Sequence, residues 1–260
     1  MHRWFLWSVA AAAALPGCDD EAAAPVPHAL TVYGEAFVEE GIPAAETDGW
    51  AVTFREFLVC VHDPGAVGGP ALSGAQVFDL TQASGGEGHA AGALPGGPFS
   101  QVRWRVAPCA GGVAGNASAA QVQAMNAGGY ALWVAGEATK GAETKTFAWG
   151  FDTDTTYGPC ATAPTETAEG VRSMLTVHAD HLLYDDLVSE TPNVAFQALA
   201  DADADGDGAI TPAELAAIDI TGFARYQVGS NTAITDLWAF LEAQSRTVGH
   251  IDGEGHCERQ

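Results

Sequence analysis

Basic residues are scarce in this chain of 260 residues: Lys and Arg number 10 against 33 Asp and Glu, a formal net charge of -23. Such a surface repels phosphate backbones and anionic headgroups, which argues against nucleic acid as a direct partner and favours cations or basic proteins. No uncharged apolar run reaches the roughly 20 residues that a bilayer-spanning helix needs. The motifs of common catalytic machinery are missing too: there is no GxSxG elbow, no HExxH pair, no GxxxxGK[ST] loop and no GxGxxG after a strand-like run. Carboxylates are so abundant that no single pair singles itself out, and the expectation is a protein that binds or supports and is not an enzyme. Hydrophobic residues make up 47% of the chain, but 31 Gly and 13 Pro interrupt them, so the expected fold is rich in turns.

What is present begins with an address. MHRWFLWSVAAAAALPGCDD carries Arg3, a short apolar run from Trp4 to Leu15, and then LPGC. That layout is a secretory signal over residues 1–17, too short for a permanent span. Leu15, Pro16, Gly17 and Cys18 resemble a bacterial lipobox, and the resemblance implies a lipid anchor on Cys18 and a place in the cell envelope. The acidic, Ala/Pro-rich residues 18–27 read as a tether. Of the 5 cysteines, Cys60, Cys109, Cys160 and Cys257 remain, widely spaced and with no CxxC pair. In an oxidising compartment an even set of this kind reads as two disulfides with three possible pairings. Cys60 with Cys109 and Cys160 with Cys257 is favoured because the first two end neighbouring strand-like segments. A thiolate metal site is the alternative.

From His28 onward, β-branched and aromatic runs alternate with Gly/Pro punctuation, as in GWAVTFREFLVCVHD and FSQVRWRVAPC. In QVRWRVAP, Val102, Trp104 and Val106 take one face and Arg103 and Arg105 the other. SAAQVQAMNAGG reads as a short helix stopped at Gly128 and Gly129, and YALWVAGEAT with KTFAWGFDTDTTYG as a hairpin about KGAE. The expected architecture is mainly β: an antiparallel β-sandwich, prealbumin- or Ig-like, over residues 28–190, with a helical appendage and tail over 191–260. The order VFDLTQ, a glycine-rich interval and LPGGPFSQVRWRVAP is similar to strand pairs of secreted prealbumin-like sandwiches.

Within the helical region stands DADADGDGAITPAEL, residues 201–215. A calcium loop of the EF-hand type supplies oxygen from positions 1, 3, 5, 7, 9 and 12, with Gly at 6. Starting at Asp201 puts Pro212 at the last position, which fails. Starting at Asp203 places Asp203, Asp205, Asp207, the Ala209 carbonyl, Thr211 and Glu214 at the ligand positions and Gly208 at the turn. The loop and its flanks resemble the EF-hand family over about thirty residues. The resemblance implies calcium binding by those six residues, with a structural role because only one such loop is present and 3 Met residues cannot line a switch groove. Thr211, Pro212 and Glu214 also spell a capping box, which would explain Glu214 without any metal.

A second metal chemistry is legible in the histidines. HADHLLYDD holds His178, Asp180, His181, Asp185 and Asp186, and VGHIDGEGHCE holds His250, Asp252, Glu254 and His256. On a strand His178 and His181 would face opposite sides, so only a turn or helix beginning near Ala179 brings them together. A Cys160–Cys257 bond would carry the tail back, and His62 could also approach. The alternative function is therefore a periplasmic copper- or zinc-binding protein using His178, His181 and the C-terminal histidines, His256 among them. Four downstream cysteines with many tryptophans are also similar to four-cysteine, methanobactin-associated copper-binding periplasmic proteins.

Overall fold

The computed structural model describes residues 25–260, so the signal segment at 1–17, the lipidation expected at Cys18 and most of the tether lie outside the described residues. The chain is mainly β. Its strands are Val26–Tyr33 (β1), Ala51–Ala66 (β2), Ala75–Asp79 (β3), His89–Gly97 (β4), Gln101–Val106 (β5), Val113–Ala114 (β6), Leu132–Lys140 (β7), Glu143–Phe151 (β8), Thr155–Ala161 (β9), Thr165–Glu166 (β10), Val171–Val177 (β11), Ala209–Ile210 (β12), Gly249–Ile251 (β13) and Cys257–Arg259 (β14). Short helices Glu35–Glu39 (α1), Ala119–Gly128 (α2), Gln197–Ala200 (α3), Pro212–Ala216 (α4) and Leu237–Gln244 (α5) and a 3-10 turn at Asp180–Leu183 join them. No described helix is long and apolar enough to cross a membrane.

Local chemistry accounts for many of these elements. The alternation in β5 buries Val102, Trp104 and Val106 and leaves Gln101, Arg103 and Arg105 exposed. β7 and β8 form the expected hairpin, in register from Leu132 opposite Phe151 to Lys140 opposite Glu143. Ser118 caps α2 reciprocally with Gln121, and Gly129 ends it in the left-handed region at φ 66°. Asp236 starts α5 by accepting from the Ala239 amide, and Leu237, Phe240 and Leu241 face inward.

The sheets are mixed where a purely antiparallel arrangement was expected. A larger sheet runs β12-β8-β7-β2-β5-β9-β14 with β3 beside β2 and β6 beside β3, and a smaller one runs β10-β11-β1-β4 with β13 beside β11. β1 lies antiparallel to β4 but parallel to β11, and β12 lies parallel to β8. Parallel partners need a long crossover, and here most of the larger sheet supplies it between β1 and β11. One hydrophobic cluster draws on both sheets and on the later helices, including Leu30, Trp104, Trp149, Tyr157, Phe196 and Phe240.

Residues 191–260 are less helical than the sequence suggested. α3 has only 4 residues, and β12, β13 and β14 add to the edges of β8, β11 and β9. Open strand edges carry unpaired amides and carbonyls, and these short segments satisfy them better than continued helix would. Two disulfides form, Cys60–Cys109 and Cys160–Cys257, the favoured pairing. Both suit an oxidising, exported environment.

Candidate metal centres

Two segments distant in sequence bring four histidines together. β11 ends at Val177, and the 3-10 turn that follows rotates His178 and His181 to one side, with ring centroids 5.2 Å apart. β13 pairs with β11 with His250 opposite Thr176, which sets the His250 ring 4.4 Å from His178 and 4.9 Å from His181. His256, in the connection to β14, stands 5.5 Å from His250. Gly249 makes the approach of β13 possible: a Cβ there would lie 2.5 Å from the Tyr157 ring.

Carboxylates close the cluster. Ligand atoms of His178, Asp180 and His181 lie within 4.8 Å of one another, as do those of His178, His250 and Glu254. Glu35, from the start of α1, places Oε2 3.5 Å from His178 Nδ1, and Asp180 Oδ1 is 3.9 Å from the same nitrogen. Glu35 holds φ 58°, a left-handed conformation that a non-glycine residue rarely adopts. Its carboxyl is raised above the ordinary range, chiefly by burial. Sequence reading missed Glu35, because nothing local links it to residues so far along the chain; the one available signal was a Glu directly after glycine at a strand end.

Hydrogen bonds assign the imidazole nitrogens. The Gly253 carbonyl lies 3.3 Å from His178 Nε2 and can only accept, so Nε2 donates to it while Nδ1 faces the carboxylates of Glu35 and Asp180. Thr247 donates its hydroxyl to the Gln244 carbonyl at 2.8 Å and therefore accepts from His181 Nδ1 at 3.1 Å, which leaves His181 Nε2 bare. His250, only 8% exposed, has a buried Nδ1 with no partner among the described residues. Burial, reinforced by the other imidazoles, lowers His181 to about 4 and His250 to about 3, so both are neutral at pH 7. A cavity of about 380 Å³ opens on this group, bordered by His181, Tyr184, His250, Glu254, His256 and Cys257.

Other residues of the two histidine segments serve the scaffold. Asp252 accepts from the amides of Met174 and Ala163 at 2.7 and 3.0 Å and pins the turn after β13. Asp185, 4% exposed, binds Arg225 and Asn193, and Asp186 accepts from the amides of Val188 and Ser189. His62 does not approach the cluster; it sits beside Cys60 and the Ala107 carbonyl and borders another cavity with Arg103 and Arg105.

The acidic segment forms a separate group. Ligand atoms of Asp203, Asp205 and Glu214 lie within 4.8 Å of one another. Gly206 and Gly208, at φ 74° and 87°, let the chain curl so that their amides donate to the two oxygens of Asp203. Asp207 accepts from the Ala209 amide, and β12, which contains Ala209, pairs with β8 at Thr146. Thr211 and Glu214 form the reciprocal capping box, and the other Glu214 oxygen accepts from the Ala204 amide at 3.1 Å. Lys145 of β8 donates to Asp203 Oδ2 at 2.7 Å. That bond is the main cause of the lowered Asp203 pKa, while the Thr211 amide is the main one for Glu214.

No protein-family model, curated protein or solved structure matches this chain.

Proposed function

We propose that this chain is an exported, lipid-anchored envelope protein that binds a transition-metal ion, copper or zinc, at His178, His181, His250 and His256. The observation that carries the reading is the meeting of the His178, His181 and His250 rings at 4.4 to 5.2 Å, with His256 5.5 Å from His250, carboxylates beside the group, and His181 and His250 held neutral by burial. Lone pairs packed together under burial repel one another unless a cation stands between them. Imidazole with one or two carboxylates suits zinc or copper better than calcium, which takes oxygen. The bonds from His178 to the Gly253 carbonyl and from His181 to Thr247 are the outer contacts that orient metal-binding rings. The role proposed is binding, not turnover.

The test is titration of the metal-free protein with zinc and with copper against a competing chromophoric chelator. One saturable site is expected, weakened at least tenfold in His178→Ala and His250→Ala. Stoichiometric binding that neither substitution alters would sink the reading.

A second reading, calcium at the 203–214 loop, is favoured by the convergence of Asp203, Asp205 and Glu214. On this reading the loop is a solitary EF-hand-type module beside a β-sandwich, and calcium takes over from Lys145 in neutralising the carboxylates. Calorimetric titration should show one site at roughly 0.1 to 1 mM that vanishes in Asp205→Asn. An unchanged thermal midpoint up to several millimolar calcium would leave it a capped acidic loop.

A further inference from the structure

The four imidazoles are not fastened alike. His178 and His181 follow β11 directly, and His250 lies within β13, whose three residues are all buried and pair with β11. His256 lies outside any strand, in the connection between β13 and β14. The turn before it is pinned through Asp252 and the Ile251–Gly255 bridge, but from Cys257 onward the chain leaves the smaller sheet and crosses to the larger one. There β14 is three residues long, pairs with β9 at Cys257 opposite Cys160 and Arg259 opposite Tyr157, and leaves Glu258 and Arg259 exposed. So short a ladder holds little by itself. Reciprocal backbone hydrogen bonds of 3.0 Å between Gln260 and Thr156 hold its far end, and the covalent bond to Cys160 fastens the end next to His256. Successive residues of an extended chain point to opposite sides, so Cys257 can reach β9 while His256 stays turned toward His250.

The two disulfides differ in access. Cys60 and Cys109 are both fully buried. In the other bond Cys160 is fully buried, but Cys257 is only partly so and borders the cavity at the histidine cluster. An attacking thiolate can therefore reach one of the four sulfurs more readily than the rest, and it lies at the metal cavity.

We propose that the Cys160–Cys257 bond is a thiol-operated latch on the metal site: closed, it holds His256 in the ligand set; opened by a dithiol reductant, it releases His256 and the site gives up its ion. The inference rests on the metal reading above and adds its control. A reductant thiolate attacks the Cys257 sulfur, the Cys160 thiolate leaves and takes a proton, and the reductant's second thiol displaces Cys257 from the mixed disulfide. The net change is two electrons and two protons from a dithiol that becomes a disulfide, leaving two protein thiols.

The experiment uses the whole mature chain with Cys18→Ser, reduced mildly with dithiothreitol, capped with iodoacetamide so that no thiol binds metal, and freed of reductant. Peptide mass analysis should find Cys160 and Cys257 capped and the Cys60–Cys109 bond intact. Zinc affinity should fall about tenfold or more relative to the oxidised protein, with the cooperative thermal transition retained. His256→Ala should already bind weakly when oxidised, and reduction should weaken it no further. Equal zinc affinity in the oxidised and capped proteins would overturn the latch alone. A further drop on reducing His256→Ala, or a drop that accompanies loss of the thermal transition, would overturn it as well. Absence of zinc and copper binding in both states would remove the metal reading and the latch with it.

Discussion

Acidification should destabilise the metal-free protein through two specific histidines. His181 and His250 are lowered by burial to about 4 and about 3, against an ordinary value of 6.5 in the unfolded chain. Between those values the unfolded state binds protons that the folded state refuses, so stability is complete above about pH 6.5 and is lost as pH falls. Each such histidine costs about 1.4 kcal/mol per pH unit below that point. From pH 7.5 to 5 the loss is about 2 kcal/mol for each and about 4 kcal/mol for the pair. Glu35 works in the opposite sense: its carboxyl is raised by burial, so the folded state takes up its proton first and acid relieves part of the cost. The assay is the urea midpoint of the chelator-treated protein at both pH values, beside His181→Gln/His250→Gln, with all other titrating groups common to the two proteins. The wild-type chain should lose more stability than the double variant by roughly 4 kcal/mol. Parallel losses in the two proteins would refute the burial argument, and with it the claim that the rings are held neutral.

Three further outcomes follow from packing and charge. Lys145→Met removes the ammonium from Asp203 Oδ2, so calcium affinity measured by calorimetry should rise several-fold; an unchanged affinity would separate that carboxylate from any calcium site. Trp149→Phe takes the indole donor from the Ile210 carbonyl, 2.9 Å away and buried, and should lower stability by about 1–3 kcal/mol in urea unfolding. Gly249→Ala drives a methyl into the Tyr157 ring; it should cost about 1–3 kcal/mol by the same assay and weaken zinc binding by displacing His250.

The sequence by itself determined what depends on near neighbours. Alternation in β5, the hairpin of β7 and β8, the cap of α2 and the capping box at Thr211 are all decided within a few residues, where side-chain direction and hydrogen-bond reach repeat along the chain. The favoured cysteine pairing forms, although Cys60 lies within β2 and Cys109 beyond the end of β5, so adjacency of the two strands and not their ends brings the sulfurs together. The requirement for a turn at Ala179, if His178 and His181 were to meet, was also readable from strand geometry, and the 3-10 turn fulfils it.

Only the tertiary structure decided which distant segments pair. The parallel union of β1 with β11, the use of β12, β13 and β14 to cover open edges, and the arrival of Glu35 beside His178 have no local signature. The same holds for the division of labour among acidic residues, in which Asp180 and Glu254 face the imidazoles while Asp185 and Asp252 brace the backbone. Register between remote strands is chosen by burying the whole hydrophobic cluster at once, a sum over residues from both sheets. A histidine or carboxylate becomes a ligand candidate only after that sum has placed it.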